Sequence, residues 1–557
     1  MKIKLNVFAF LTFFFTLITT FSLGEILYNS IDGTDFYRYF RYIEYFNGEI
    51  DSPSREQGLF YFWYIYLFID FYEQFYLADK WEFIYSSAIQ MGNFTLYLVG
   101  LVGLFQFLKL KNFSTHKILI SFSFLNLFPP VFGGRLIMKP EILAFALMPW
   151  IIFGISKYLK NKKLFYLLST TPLLALIATS KGTVFVITAF ALLFIFYKNL
   201  KEISVSHILS STALFFLMSY LVFIENLEIN NVSMISHPEE SSYLYRASAS
   251  FLYNINFGEL INNPFRNTHA DSFIGITLID LFGDYFNRYW DHERSLFFQN
   301  RVDLISFVEH PRRILSILLS FVFIVLSFLR SRNNKNINLK IIYLVGIVVL
   351  LLTSLGLFGL HFNPNKGDTV KTHYYFFLLA ISFVFIIINY LNKANIYNQY
   401  FSLLIFFIFF LFIVGFPKNF DGEFNSKLAD KTPTTISCRY LGNYIEKLTN
   451  LDVECLTKTI STCGFFTEYN LPKQHEDGYL IFQEDELFNN TNLTDNDGNS
   501  VTVRGYAECL HYLEGGFQKS EVMNKENRSP ASNKILFYLN IFSIVYLFST
   551  KREKNNV

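Results

Sequence analysis

Charge is scarce in this sequence. Of its 557 residues, 17% are Asp, Glu, Lys or Arg, against roughly 25% in soluble proteins of ordinary composition. The shortfall excludes a conventional water-soluble enzyme of this length, because long apolar runs alternate with short charged clusters. Net charge is also small. The 47 Lys and Arg balance 45 Asp and Glu to leave +2, so bulk charge gives no case for nucleic-acid binding.

Cysteine is nearly absent too. The four residues, Cys438, Cys455, Cys463 and Cys509, all lie in one polar segment near the C-terminus. No C-x-x-C pair occurs, which counts against zinc. An even count in one segment predicts two disulfides in an oxidising compartment, with three pairings open. No H-E-x-x-H spacing and no Gly-rich phosphate loop is present, so neither a zinc hydrolase nor a cytoplasmic nucleotide-dependent enzyme is expected. A divalent metal finds no support in spacing, although His269, Asp271, Asp291 and His292 are chemically able to bind one.

What the sequence has is apolar length. Hydrophobic residues make up 52%, and a spanning helix needs about 20 of them in succession. Twelve runs are candidates: Leu5–Leu23, Phe83–Leu108, Ile118–Gly133, Ile142–Ser156, Leu164–Thr179, Thr183–Tyr197, Ile208–Ile224, Ile314–Leu329, Ile341–Leu360, Tyr374–Leu391, Tyr400–Gly415 and Ile535–Ser549; the shorter ones must borrow flanking residues or sit in thin bilayer. The first lacks a small-residue cleavage site after it and is expected to be retained. The fold class expected is an all-α polytopic membrane protein with a small C-terminal α+β domain.

Positive charge in short loops sets orientation. Lys109, Lys111 and Lys117, then Lys157 to Lys163, Lys198 and Lys201, Arg330 to Lys340, Lys393, and Lys551 to Lys554 belong to the cytoplasmic side. The first outer loop (24–80), a large loop (225–313), the loop 361–373 and the cysteine segment then fall outside. Three units follow: 1–415 as a multi-span transmembrane domain, 416–533 as an extracytoplasmic domain, and 534–557 as a final span and tail. Leu59–Leu77 is apolar but carries Asp70 and Glu73, and a mid-bilayer carboxylate costs roughly 2.5–3.5 kcal/mol. It is expected to lie in, or dip into, the outer interface.

Candidate chemistry gathers on the outer side. Asp32 and Asp35 follow the first span and suit either a general base for a hydroxyl or a helix cap. Arg135, Lys139 and Glu141 follow a paired-proline, paired-glycine break, and Lys181 occupies the next outer turn. Lys371 and His373 stand at the mouth of a late span. These cations suit an anionic headgroup or snorkel at helix ends. In the large loop Asp271, Asp284, Arg288 and Trp290 mix carboxylates with aromatics, as a sugar face prefers.

Together these pieces resemble the GT-C class of membrane glycosyltransferases, which includes protein O-mannosyltransferases and the lipid A aminoarabinose transferase. Asp35-Phe36-Tyr37-Arg38-Tyr39 is similar to that class's D-E-x-R-Y, with Phe for Glu. Glu56-Gln57-Gly58-Leu59-Phe60-Tyr61 stands where H-P-P-L-Y-Y is found, without the His and prolines. Lys139-Pro140-Glu141-Ile142-Leu143 and Lys371-Thr372-His373-Tyr374-Tyr375 correspond to its later motifs.

The resemblance implies GT-C-like architecture and inverting transfer from a polyprenyl-phosphate sugar donor to an envelope glycan, lipid or protein. The active site would face outward from the plasma (inner) membrane. It implies Asp35, with Asp32 as rival, as the base. Arg135, Lys139, Lys181, Lys371 and His373 would hold the lipid phosphate, and Glu56, Glu141 and the loop residues the acceptor or sugar. A surface-polysaccharide polymerase or ligase, and a lipid-linked saccharide flippase or transporter, are the alternative readings.

Overall fold

The computed structural model describes residues 2–28, 30, 34–48, 52–53, 57–75, 81–230, 253–264, 267–269, 272–283, 309–333, 376–414, 490–494, 500–504 and 528–549. Helices dominate them. In chain order they are α1 (Lys2–Leu27), α2 (Thr34–Phe46), α3 (Leu59–Phe75), α4 (Trp81–Leu110), α5 (Thr115–Asn126), α6 (Pro129–Arg135), α7 (Ile142–Asn161), α8 (Leu164–Leu168) and α9 (Thr171–Ser180). There follow α10 (Gly182–Phe196), α11 (Val205–Asn230), α12 (Phe257–Asn262), α13 (Phe273–Asp280), α14 (Glu309–Asn333), α15 (Phe376–Leu391), α16 (Ile396–Val414) and α17 (Ala531–Ser549).

Among the described residues seven helices are long and apolar enough to cross a membrane: α1, α4, α7, α10, α11, α16 and α17. The bent pair α5–α6 makes an eighth if counted as one span. A helix satisfies every backbone N–H and C=O within the segment, which hydrocarbon demands. Large apolar side chains cover the outside as well as the core. Phe8 and Phe15 on α1, and Phe216, Leu217 and Tyr220 on α11, are each at least half exposed. Contiguous apolar surface of this kind belongs to a protein solvated by lipid, and the chain is a membrane protein.

Side-chain contacts fix the direction of each helix. Phe21 meets Phe94 at 4.5 Å and the Ser30 amide donates to Ser86 Oγ, so α1 and α4 are antiparallel. α4 and α7 run parallel in close contact, and a Cβ added at Gly100 would stand 2.6 Å from the Phe145 carbonyl oxygen. α16 runs parallel to α5, with Phe406 against Phe124 and Phe410 against Phe132. α15 runs the other way, with Phe376 by Gly134, Phe383 stacked on Phe128 and Asn392 accepting from Lys117. α17 is antiparallel to α9: Asn540 donates to the Pro172 carbonyl, and Tyr546 packs on Phe165.

These directions give the bundle two ends. One gathers Lys109, Lys117, Lys162, Lys198, Lys201 and Lys393, and is called here the His116 end. The loops predicted to share a side by charge do meet there: Lys109 bonds Thr115, Lys117 bonds Asn392 and Lys162 bonds Glu202. The other, the Glu141 end, holds the end of α1, the start of α4, residues 135–141, the α9–α10 junction, the end of α11 and the start of α17.

Three of the apolar runs are interrupted or placed in ways that bear on the site, the first at the break that its paired prolines mark in the sequence. The Ile118–Gly133 run bends by 68° between α5 and α6. Pro129 and Pro130 open α6, and neither can donate back into α5. The Leu164–Thr179 run divides into α8 and α9 around Ser169 and Thr170. In Leu59–Leu77, the residues Leu59 to Tyr66 are enclosed in the bundle. α3 is antiparallel to α4, with Tyr61 bonded to Asn93 and Tyr85 to Glu73. The chain therefore dips at Leu59, and Asp70 and Glu73 lie toward the start of α4.

The Ile341–Leu360 run lies outside the described residues. In the C-terminal segment the described strands are β1 (Asn490–Thr494) and β2 (Ser500–Arg504), an antiparallel hairpin pairing Asn490 with Arg504 and Thr494 with Ser500. The four cysteines lie outside the described residues.

Candidate functional site

At the Glu141 end two interruptions of helix face each other. The first is the turn from Arg135 to Glu141 that joins α6 to α7. The second is Lys181, whose extended backbone (φ −157°, ψ 108°) separates α9 from α10. Lys181 Nζ lies 2.6 Å from Glu141 Oε1 and joins the two. Their side chains are 10% and 1% exposed, so this is a buried ion pair and not a surface one.

Arg135 is also buried, at 4% exposure. Its guanidinium carbon sits 4.7 Å from the centre of the Tyr97 ring and 5.7 Å from that of Phe132. Cation–π contact of this kind stabilises by about 2 kcal/mol when desolvated. Among the described residues none of its three guanidinium nitrogens has a hydrogen-bond partner. Arg135 and Lys181 therefore do not snorkel; both cations are taken inside the bundle. Lys139 is half-buried, with Nζ 6.0 Å from the Tyr39 ring of α2.

Polar residues within the apolar helices hold these pieces. Asn93, in the middle of α4, donates from Nδ2 to the carbonyls of Arg135 (3.1 Å) and Ile137 (2.6 Å), and accepts from Tyr61 (2.8 Å). Tyr97 donates to Asn126 at 2.7 Å, and Asn126 donates to Thr16 at 3.0 Å, tying α4, α5 and α1. Gly58 donates to the Ser180 carbonyl at 3.1 Å. A Cβ on Gly58 would stand 1.9 Å from the Thr179 carbonyl oxygen, so only glycine fits against the junction.

The last helix reaches the same place. Glu225 of α11 accepts from the backbone of Ser532 and Asn533 and from the Asn533 side chain, and so caps α17 from another helix. Arg528 lies 5.4 Å from the Tyr45 ring of α2. Burial pushes the Tyr45 phenol up, an effect that the Arg528 charge opposes.

Of the residues singled out by sequence, Glu141 and Lys181 are brought into contact, and Arg135 and Lys139 flank the same turn. Asp35 lies in the first turn of α2, one helical turn before Tyr39, and its side chain is outside the described part. Asp32, Glu56, Asp271, Asp284, Arg288, Trp290, Lys371 and His373 lie outside the described residues. His269 is buried, with Nε2 3.1 Å from the Asn263 carbonyl. The sequence names Gly58 and Tyr61 only as members of the Glu56–Tyr61 stretch, and gives Asn93 and Asn226 no role. The signal present was asparagine inside an apolar run, which hydrocarbon tolerates only with partners.

No protein-family model matches the chain, and no curated protein matches it.

Proposed function

We propose that the chain is a membrane glycosyltransferase of GT-C-like architecture, moving a sugar with inversion from a polyprenyl-phosphate donor to an extracytoplasmic acceptor. The observation that carries the reading is Arg135. A buried guanidinium with no hydrogen-bond partner among the described residues is costly, and an anionic guest offsets that cost. The phosphate of a lipid donor, entering from the bilayer at the turn 135–141, meets that requirement, with Lys139 and Lys181 close in the same two segments.

The chemistry is a single displacement. Asp35 accepts the proton of the acceptor hydroxyl as its oxygen bonds to the anomeric carbon. The bond from that carbon to the phosphate oxygen breaks, and the phosphate departs with the electron pair. Positive charge preset beside it stabilises the negative charge that grows there. An outward-facing site at the Glu141 end agrees with the collection of lysines at the His116 end, which the positive-inside rule assigns to the cytoplasm. Twelve spans account for the directions of α14 and α15. Arg312 of α14 lies by Phe412 near the end of α16, and Phe323 lies by Phe383 in the middle of α15, so both helices run from the Glu141 end toward the His116 end, and the sequence between them holds the apolar run Ile341–Leu360.

Purified protein in nanodiscs, given defined polyprenyl-phosphate sugars and scored by mass, tests the reading. Transfer is expected, with Asp35→Asn abolishing it and Arg135→Met weakening donor use. Turnover that survives Asp35→Asn unchanged would sink the proposal. A flippase or transporter is the second reading. It is favoured by the helix breaks at α5–α6 and α9–α10 beside buried charge, a pattern of transporter sites. Flux of a lipid-linked saccharide in liposomes without covalent product decides for it.

A further inference from the structure

Two asparagines, one on each side of α3, bind the two halves of the site to the same short stretch of helix. Asn93 is wholly buried. Its amide group donates into the turn at Arg135 and Ile137, while its oxygen takes the Tyr61 hydroxyl. Asn226 is likewise wholly buried. Its Nδ2 donates to the Thr179 carbonyl at 3.2 Å, and its Oδ1 receives the Leu59 amide at 3.4 Å and Asn533 Nδ2 at 3.0 Å. Leu59 and Tyr61 are two residues apart, about 3 Å along the helix axis. The start of α3 is thus pinned to the turn 135–141 on one side and to the α9–α10 junction on the other. Gly58 adds a direct bond to the junction, and the Lys181–Glu141 pair closes the loop.

Burying an amide in an apolar layer is costly unless its donors and acceptor are met. A leucine would fill either position without that requirement. The specific gain from asparagine is geometric, because each joins two backbones at fixed distance.

We infer that Asn93 and Asn226 are positioning residues, which set the spacing between the turn bearing Arg135, Lys139 and Glu141 and the junction bearing Lys181. The kinetic consequence rests on the transferase reading; the geometric one does not. Substitution by aspartate keeps an acceptor and replaces the two N–H donors of the amide with none when ionised and a single O–H when protonated. Asn93→Asp is therefore expected to loosen 135–141 alone, and Asn226→Asp to loosen 179–182 alone. Donor kcat/KM should fall by about a hundredfold in each, the effect of roughly an ångström of misplacement. Acceptor KM should hold.

The test is hydrogen–deuterium exchange on the full chain in nanodiscs, beside donor and acceptor kinetics. Tyr61→Phe is the milder control: it removes one bond to Asn93 and should shift 135–141 slightly. Faster exchange confined to the expected segment supports the inference. Exchange that rises throughout the bundle, or in neither segment, overturns it, as does an unchanged donor kcat/KM in a variant whose segment has loosened. If exchange is local as expected but neither wild type nor variants turn over any polyprenyl-phosphate sugar, the spacing role stands and the transferase reading falls.

Discussion

Lys181 and Glu141, forty residues apart in the chain, meet at 2.6 Å where neither side chain is more than a tenth exposed. Removing one member of such a pair leaves a buried charge without its counter-ion and costs about 3–5 kcal/mol. Lys181→Met is expected to lower the unfolding temperature sharply. Lys181→Met combined with Glu141→Leu should recover much of that loss. Thermal unfolding of the single and double variants in one detergent checks this. Equal loss in both would show that the pair does not couple the two segments.

Gly58→Ala tests the closest approach in the site. The new methyl would meet a carbonyl oxygen of the backbone, which has no flexible end to move away. Overpacking of this sort costs about 1–3 kcal/mol, and the strain should appear in α3 and the α9–α10 junction. Gly92→Ala, where the nearest atom is the end of the Ile65 side chain, should be tolerated better. Stability of the two variants measured side by side decides.

Glu225→Ala removes the cap of α17. Three donors at the start of that helix lose their acceptor. A lost cap costs about 1 kcal/mol. Exchange at 531–534 should rise while α4 and α7 remain protected. Protection unchanged at 531–534 would mean that α17 is held by packing alone.

The two ends of the bundle can be assigned by labelling. Lys111→Cys and Lys393→Cys lie at the His116 end, and Tyr253→Cys follows α11 at the other. In a background without the native cysteines, an impermeant maleimide applied to intact cells should modify only the Tyr253 position. Labelling of all three, or of the first two alone, would overturn the orientation.

The helices were legible because each apolar run has its own ends, marked by lysine clusters, prolines or glycine. The break before Pro129 was visible for the same reason. Asp70 and Glu73 warned that α3 is not an ordinary span. The meeting of Glu141 with Lys181 was not legible, since it depends on how α7 packs against α9 and α10. Arg135 was visible as a cation after a break, but its burial follows from the 68° bend, which turns α6 inward. Asn93 and Asn226 appeared as single polar residues in long apolar runs. Only their partners, supplied by α3, the 135–139 turn and α17, give them a role.

The bend also sets how deep the site lies. With 12 residues, α5 rises only about 18 Å in a hydrocarbon layer of about 30 Å. Almost all of α5 is enclosed by other helices, so the missing height is filled by protein and not by lipid. The turn that follows Arg135 therefore starts short of the edge of the apolar layer, and a phosphate carried by a lipid has to move inward between helices to reach it.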